Sequence, residues 1–268
     1  GDDYIVNTEI EISDQTVYIE DENLRNELIS ILEITDDLIT QEDLLKITSL
    51  DLSYKEIKTL NGIDKMQNLV NLNIRGNQID SLYPIKDIIG IEKLIARENN
   101  IKDLSIIEKL VNLKDLSIKQ NPIEDISTIS NFTNMEILDI GATDITPDQL
   151  IVLNNLTKLI QLNLGYLNLN DSDIEILRNC TTLEWIELGN NNISDINTVV
   201  NLLNLTELRM KNNNITDISG IETLEDLELV ELTNNNIRNA LYLQNLSSLT
   251  VLDIAGNDLD EGSISAIK

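Results

Sequence analysis

The pattern LxxLxLxxNxI occurs ten times in the chain, with its first apolar residue at Ile47, Leu69, Ile91, Leu113, Met135, Leu159, Leu183, Leu205, Leu227 and Leu249. Successive copies lie 22 residues apart, except for two steps of 24 that follow Met135 and Leu159. The Asn position holds Asn77, Asn99, Asn121, Asn191, Asn213, Asn235 and Asn257, and is replaced by Lys55, Thr143 and Leu167. A period of this length builds a chain from similar supersecondary units, none of which can bury its apolar face alone, so neighbours must stack.

One unit can be read from Leu69 onward. Alternation around Leu72 and Ile74 marks a short strand with one buried face. Gly76 and Asn77 then turn the chain, and a buried Asn side chain can satisfy backbone groups that the bend leaves unpaired. Ile79 returns to the interior, and Leu82, Ile85 and Ile88 anchor a return segment. The predicted architecture is an α/β solenoid. Its parallel β-sheet lines the concave face of a horseshoe, short 3-10 or α segments line the convex face, and a helical cap closes the N-terminus. Ten strands at about 4.8 Å make a strip roughly 45–50 Å long.

Residues 1–20 read as a tail or a small hairpin, pairing 9–12 with 16–19 about Ser13, Asp14 and Gln15. Residues 21–46 read as the helical cap: Leu24, Leu28, Ile31 and Leu32 have helical spacing behind Asp21, and Thr40 to Asp43 open a second short helix. Residues 47–268 hold the ten repeats, the last of them incomplete. The chain opens on Gly1 rather than methionine, which suggests a trimmed product, and stops soon after its tenth strand and turn, where removed residues or a further domain are expected. In the two longer units the return segments are predicted to be true helices. One starts as a capping box at Thr146 and Gln149 with Pro147 at its first position, and the other starts at Ser172. Asp103, Asp125, Asp195 and Asp217 share one repeat position and read as caps of short turns rather than as a metal stripe.

Composition removes whole classes of function. The formal net charge is −28, so a nucleic-acid backbone or an anionic membrane would be repelled. No histidine is present, which excludes Ser-His-Asp and Cys-His pairs and any imidazole metal ligand. The single cysteine cannot form an internal disulfide. Cys180 falls where other repeats place a buried residue such as Phe132, so it reads as a structural thiol. Asp36 and Asp37 beside Glu42 and Asp43 lack the spaced, glycine-containing loop of a calcium site. Sequons at Asn131, Asn155, Asn192 and Asn214 follow from the Asn-rich repeat. The expectation is a non-enzymatic monomer with no catalytic residue, metal or cofactor.

The junction from Leu38 to Leu44, continuing through Ile57 to Ile63, resembles the step from helical cap to first repeat in bacterial internalin-type leucine-rich-repeat surface proteins. Ile215-Thr216-Asp217-Ile218 after the repeat Asn is similar to that family as well. The resemblance spans roughly residues 20 to 260, and the two 24-residue repeats depart from the family pattern. It implies a curved, exported, non-enzymatic protein at the bacterial surface or outside the cell. Such a protein binds a host or other-cell protein, or a carbohydrate, on its concave face. The alternative is an intracellular scaffold of the phosphatase-regulator type, which also uses 22-residue leucine-rich repeats.

Offsets +2, +4 and +6 from each first apolar residue point out of the strand and define thirty surface positions. Lys or Arg fills six of them (Arg75, Lys93, Arg97, Lys119, Arg209 and Lys211) and acids fill seven, so this face is near neutral in a very acidic chain. The +2 column carries the only tryptophan, Trp185, in line with Ile137, Leu229 and Val251. Ile95 is apolar in the +4 column, Glu187 flanks Trp185 on its strand, and Tyr166 lies one repeat before Trp185. An aromatic on a polar solenoid face is the residue type that anchors protein interfaces. The candidate ligand-binding residues are therefore Trp185, Tyr166, Ile137, Ile95, Arg75, Arg97, Lys119, Glu187, Arg209 and Lys211. The expected site is bipartite, with cations in repeats two to four and an apolar anchor in repeats five to seven.

Overall fold

A computed structural model of the chain describes residues 16–267. Each repeat contributes one three-residue strand: β1 (Ser49–Asp51), β2 (Asn71–Asn73), β3 (Lys93–Ile95), β4 (Asp115–Ser117), β5 (Ile137–Asp139), β6 (Gln161–Asn163), β7 (Trp185–Glu187), β8 (Glu207–Arg209), β9 (Leu229–Glu231) and β10 (Val251–Asp253). They form one parallel sheet in sequence order. The register never slips, so Leu50, Leu72, Leu94, Leu116, Leu138, Leu162, Ile186, Leu208 and Val230 make one row, buried throughout. Side chains alternate across a strand, so the residues on either side of this row face outward together. The fold is a leucine-rich-repeat solenoid.

The opposite wall is set by a spacing of three. Each return segment carries apolar residues at i, i+3 and i+6, such as Leu60, Ile63 and Met66, or Leu104, Ile107 and Leu110, and all are buried. Three residues is the turn of a 3-10 helix, which lines them up on one edge. The matching bonds are present: the Met66 N–H donates to the Ile63 carbonyl at 2.9 Å, and Leu110 to Ile107 at 2.9 Å.

Repeats five and six obey the same rule, and here the predicted true helices are corrected. Pro147–Asn155 and Asp173–Asn179 are long 3-10 helices. Their buried triplets, Leu150, Leu153, Leu156 and Ile174, Leu177, Cys180, again step by three. An α-helix would swing the third member about 120° away from the first, out of the wall. The capping box does not form. Gln149 reaches instead into the preceding repeat, accepting from the Ile126 N–H at 2.9 Å and donating to the Glu124 carbonyl at 2.6 Å. The second segment is capped from Asn170 rather than Ser172: its Oδ1 accepts from the Ser172 and Asp173 N–H groups at 2.9 and 3.3 Å.

Asparagine holds the turn after each regular strand. Asn99 Nδ2 donates to the carbonyls of Ile74 and Ala96 at 2.9 and 3.0 Å, and its Oδ1 accepts from the Ile79 N–H at 3.0 Å. One side chain thus ties two repeats together and leaves no polar group buried alone. The residue just before the ladder position has positive φ in every repeat: Tyr54, Gly76, Glu98, Gln120, Ala142, Tyr166, Asn190, Asn212, Asn234 and Gly256. Asp103, Asp125, Asp195 and Asp217 each accept from the backbone N–H two residues on, at 2.5–2.8 Å, closing the turn into the return segment.

The N-terminal end is covered by α1 (Glu22–Ile31) and α2 (Gln41–Leu45), which bury Leu24, Leu28 and Leu44. Asp21 caps α1 through the Asn23 and Leu24 N–H groups and also accepts from the Lys58 N–H at 2.8 Å, which locks the helix to the first repeat. Thr40 and Asp43 form the capping box of α2. The first arm of the predicted hairpin, 9–12, lies outside the described residues. The Val17 N–H donates to the Ile39 carbonyl at 2.7 Å, and Ile19 is buried. At the other end the chain runs beyond the tenth turn into α3 (Glu261–Ile267), which sequence reading missed. The Ser263 hydroxyl of α3 is fully buried and accepts from the Ala240 N–H at 2.8 Å.

Candidate ligand-binding site

The outward positions of β3 to β8 enclose a concavity of about 490 Å³. Six of the sequence-predicted residues line it: Ile95, Arg97, Ile137, Trp185, Glu187 and Arg209. Ile137 and Trp185 are half-buried on β5 and β7, with Gln161 of β6 opposite both. The tryptophan therefore stands at a wall of the basin. The Arg209 guanidinium lies 6.0 Å from the centre of its ring.

The other four predicted residues do not line the basin. Tyr166 is 57% exposed and does not touch the concavity. Lys211 reaches toward Glu231 at 3.4 Å. Arg75, expected to act with Arg97 and Lys119, is closed off: its Nε donates to Glu98 at 2.8 Å, and its guanidinium lies 5.1 Å from the Tyr54 ring centre. Lys119 stands beside the basin, where its charge acts on Asp139 and Glu187.

Sequence reasoning missed Asp115, Ser117, Asp139, Gln161 and Asn163, which complete the lining with Leu138 of the buried row. A signal was available in the +6 column. After Arg75, Arg97 and Lys119 it runs Gly141, Gly165, Gly189 before Lys211. A Cβ on Gly141 would lie 2.9 Å from the Gly165 carbonyl oxygen, and one on Gly165 would lie 3.3 Å from that of Gly189. Three side chains are thus missing from the concave face where the sheet holds its tryptophan, with a cation on either side of the gap.

Charge inside the basin is unevenly satisfied. Lys93 pairs with Asp115 at 2.7 Å, and Arg209 with Glu207 at 2.9 Å. Arg97 and Lys119 form no side-chain hydrogen bond or ion pair among the described residues, and the Arg97 Nε is buried without a partner. Burial pushes the Asp139 carboxyl above its ordinary range, against the pull of Lys119, the Ser117 hydroxyl, the Gly141 N–H and Arg97. Burial raises Glu187 likewise, with Glu231 adding to it and the Gly189 N–H and Lys211 opposing. Both acids therefore sit where ionisation is costly, and their charges already draw on the nearby cations.

Elsewhere the chemistry is quiet. Burial lifts the Cys180 thiol to about 11, which leaves it unreactive. Among the described residues no cluster of three or more Cys, Asp or Glu is placed to hold a metal ion. No helix among them is long and apolar enough to cross a membrane.

Residues 89–131 match the family described as Leucine Rich repeats (2 copies). No curated protein matches the chain. Among solved structures, an internalin (inlF) from Listeria monocytogenes is 27% identical, with a TM-score of 0.76, over 92% of this chain and 79% of that one. Internalin C2 from the same species is 28% identical, with a TM-score of 0.60, over 90% and 93%. The functional domain of InlJ, also from Listeria monocytogenes, is 22% identical with a TM-score of 0.73, and this chain covers 53% of it. The chain is an internalin-like leucine-rich-repeat protein. Such solenoids are protein-interaction modules.

Proposed function

We propose that the protein is an exported, non-enzymatic module of a bacterial surface that recognises a protein of another cell through the basin on β3 to β8. The observation that carries this reading is the placement of the chain's only tryptophan. Trp185 is half-buried at the wall of a 490 Å³ concavity with Ile95 and Ile137, among polar and charged side chains that complete most of its lining. Aromatic and arginine side chains seated in a pocket and ringed by polar groups are the usual centres of protein–protein binding energy. A rigid sheet carries these residues, so little ordering entropy opposes binding. The internalin neighbours support a surface role, and the net charge of −28 keeps such a module soluble and monomeric.

The test places a photo-activatable side chain at position 137, in the basin, or at position 203, where Leu203 is exposed outside the concave face. Each version is applied to intact animal cells. A single protein cross-linked from 137 and not from 203 supports the reading. Labelling that is equal from both positions contradicts it. Binding lost on stripping glycans from the cells would assign the ligand to carbohydrate instead.

A further inference from the structure

Arg75 and Arg97 occupy the same column on adjacent repeats, yet only one of them is neutralised. Glu98 holds the Arg75 guanidinium at 2.7 Å and the Tyr54 ring covers it. Arg97 lines the basin with its Nε buried and unpartnered, in a chain that carries 47 acidic residues. A buried donor with no acceptor costs free energy in the unbound protein. Lys119, one repeat further on, also lacks an ion pair among the described residues. Asp139 acts on both cations and Glu187 on Lys119, yet neither carboxylate forms a hydrogen bond or an ion pair with them. Arg97 and Lys119 thus stand without an ion pair among the described residues, on a near-neutral face, and a carboxylate brought from outside can pair with them.

We propose that the basin receives an extended segment of a partner protein that offers a carboxylate side chain to Arg97 and Lys119 and seats an apolar side chain against Trp185. This deepens the reading of the concave basin as the ligand site and rests on it. The geometry fixes the spacing. Strands lie about 4.8 Å apart, so the gap between β3 and β4 is about 17 Å from β7. An extended chain covers about 3.3 Å per residue, which puts the acid about five residues from the apolar anchor. Between them the segment crosses the bare glycine column at Gly141 and Gly165, where a main chain can approach the sheet closely. The carboxylate accepts the N–H groups that Arg97 leaves unused, and the bidentate fork of a guanidinium suits it.

The net charge of −28 repels acidic peptides at long range, so a preference for acid can arise only from a local site. Random dodecapeptides displayed on phage are selected against the wild-type chain, against the Arg97→Gln/Lys119→Gln double variant, against Trp185→Ala, and against Lys109→Gln. The last removes one charge from the return side, where Lys109 pairs with Asp87. Wild type and Lys109→Gln should enrich Asp or Glu about five residues from an apolar residue. The double variant should keep the apolar residue and lose the acid, and Trp185→Ala should lose the apolar residue. In a selected peptide, changing Asp to Asn should weaken binding about tenfold, read from Trp185 fluorescence, and should change nothing for the double variant. Basin-binding peptides with no more acid than the unselected library, or acid enrichment that survives in the double variant, would overturn this proposal and leave the basin as the ligand site. Binders wholly indifferent to Trp185→Ala would overturn both.

Discussion

Repeats seven to nine and repeats five and six share one sheet and one register, yet they fasten their turns differently. In the regular units an asparagine ties three backbone groups from two repeats, as Asn213 does with the carbonyls of Leu188 and Met210 and the N–H of Ile193. In repeat five Thr143 donates one bond, to Ile140 at 2.8 Å, and in repeat six Leu167 supplies none. Asn191 of the next unit compensates by accepting from both Leu167 and Leu169. Strand pairing continues unbroken, Ile137 to Gln161 to Trp185. The sheet therefore carries the continuity of the solenoid, and the turns are free to vary. The irregular turns fall where the concave face loses three side chains to glycine and gains its tryptophan.

That contrast can be broken by substitution. Asn213→Ala strands two buried carbonyls and one N–H, and should cost about 3 kcal/mol or more in urea unfolding. Thr143→Ala loses a single hydroxyl bond and should cost about 1 kcal/mol. Equal losses would mean that the ladder asparagines do not carry the regular turns.

A smaller and sign-sensitive test uses one column. Asp51 and Asp139 hold the same +4 position in the first and fifth repeats. The Ser53 hydroxyl and N–H hold the Asp51 carboxyl below its usual range, despite some burial. Burial holds Asp139 above it. Asp51 thus contributes stability that is present above the unfolded pKa and is lost as pH falls through its lower folded value. The ionised Asp139 costs stability at neutral pH, and that cost fades as pH falls from its raised folded value to the unfolded one. Asp139→Asn should accordingly raise the melting temperature at pH 7 and Asp51→Asn should lower it, with the Asp139 gain shrinking as pH falls through its raised folded value. The same sign for both at pH 7 would show that the basin is no drier than the exposed end of the sheet.

The smallest effect belongs to Tyr166. It takes φ of +61° at a position where Asn190, Asn212 and Asn234 take similar angles in later repeats. Asn tolerates this region and a bulky aromatic does not. Tyr166→Asn should therefore stabilise the chain by a few tenths of a kcal/mol, and differential scanning calorimetry would show a loss if the ring packs better than its exposure implies.

Much of this was legible beforehand because periodic sequence converts directly into register. The buried row from Leu50 to Val230 and the outward placing of Trp185, Ile137 and Arg97 follow from counting offsets. What failed were features that depend on depth or on neighbouring repeats. Leu150, Leu153 and Leu156 suit the first turns of either helix type, and only the stacked wall selects the 3-10 form. Arg75 looked equivalent to Arg97 because its partner Glu98 sits at offset +7, outside the tallied columns, where a φ of +61° turns the chain. Asp139 and Asn163 do not stand out in the sequence, since a column shows which way a side chain points but not how deep the face is there.

The most direct measurement compares the affinity of one captured or selected ligand for wild type, Trp185→Ala and Leu203→Ala, with thermal melts beside it. A basin that seats the ligand predicts a loss of about tenfold or more for Trp185→Ala, unchanged binding for Leu203→Ala, and a cooperative melt retained in both. Undiminished affinity in a folded Trp185→Ala chain would contradict it.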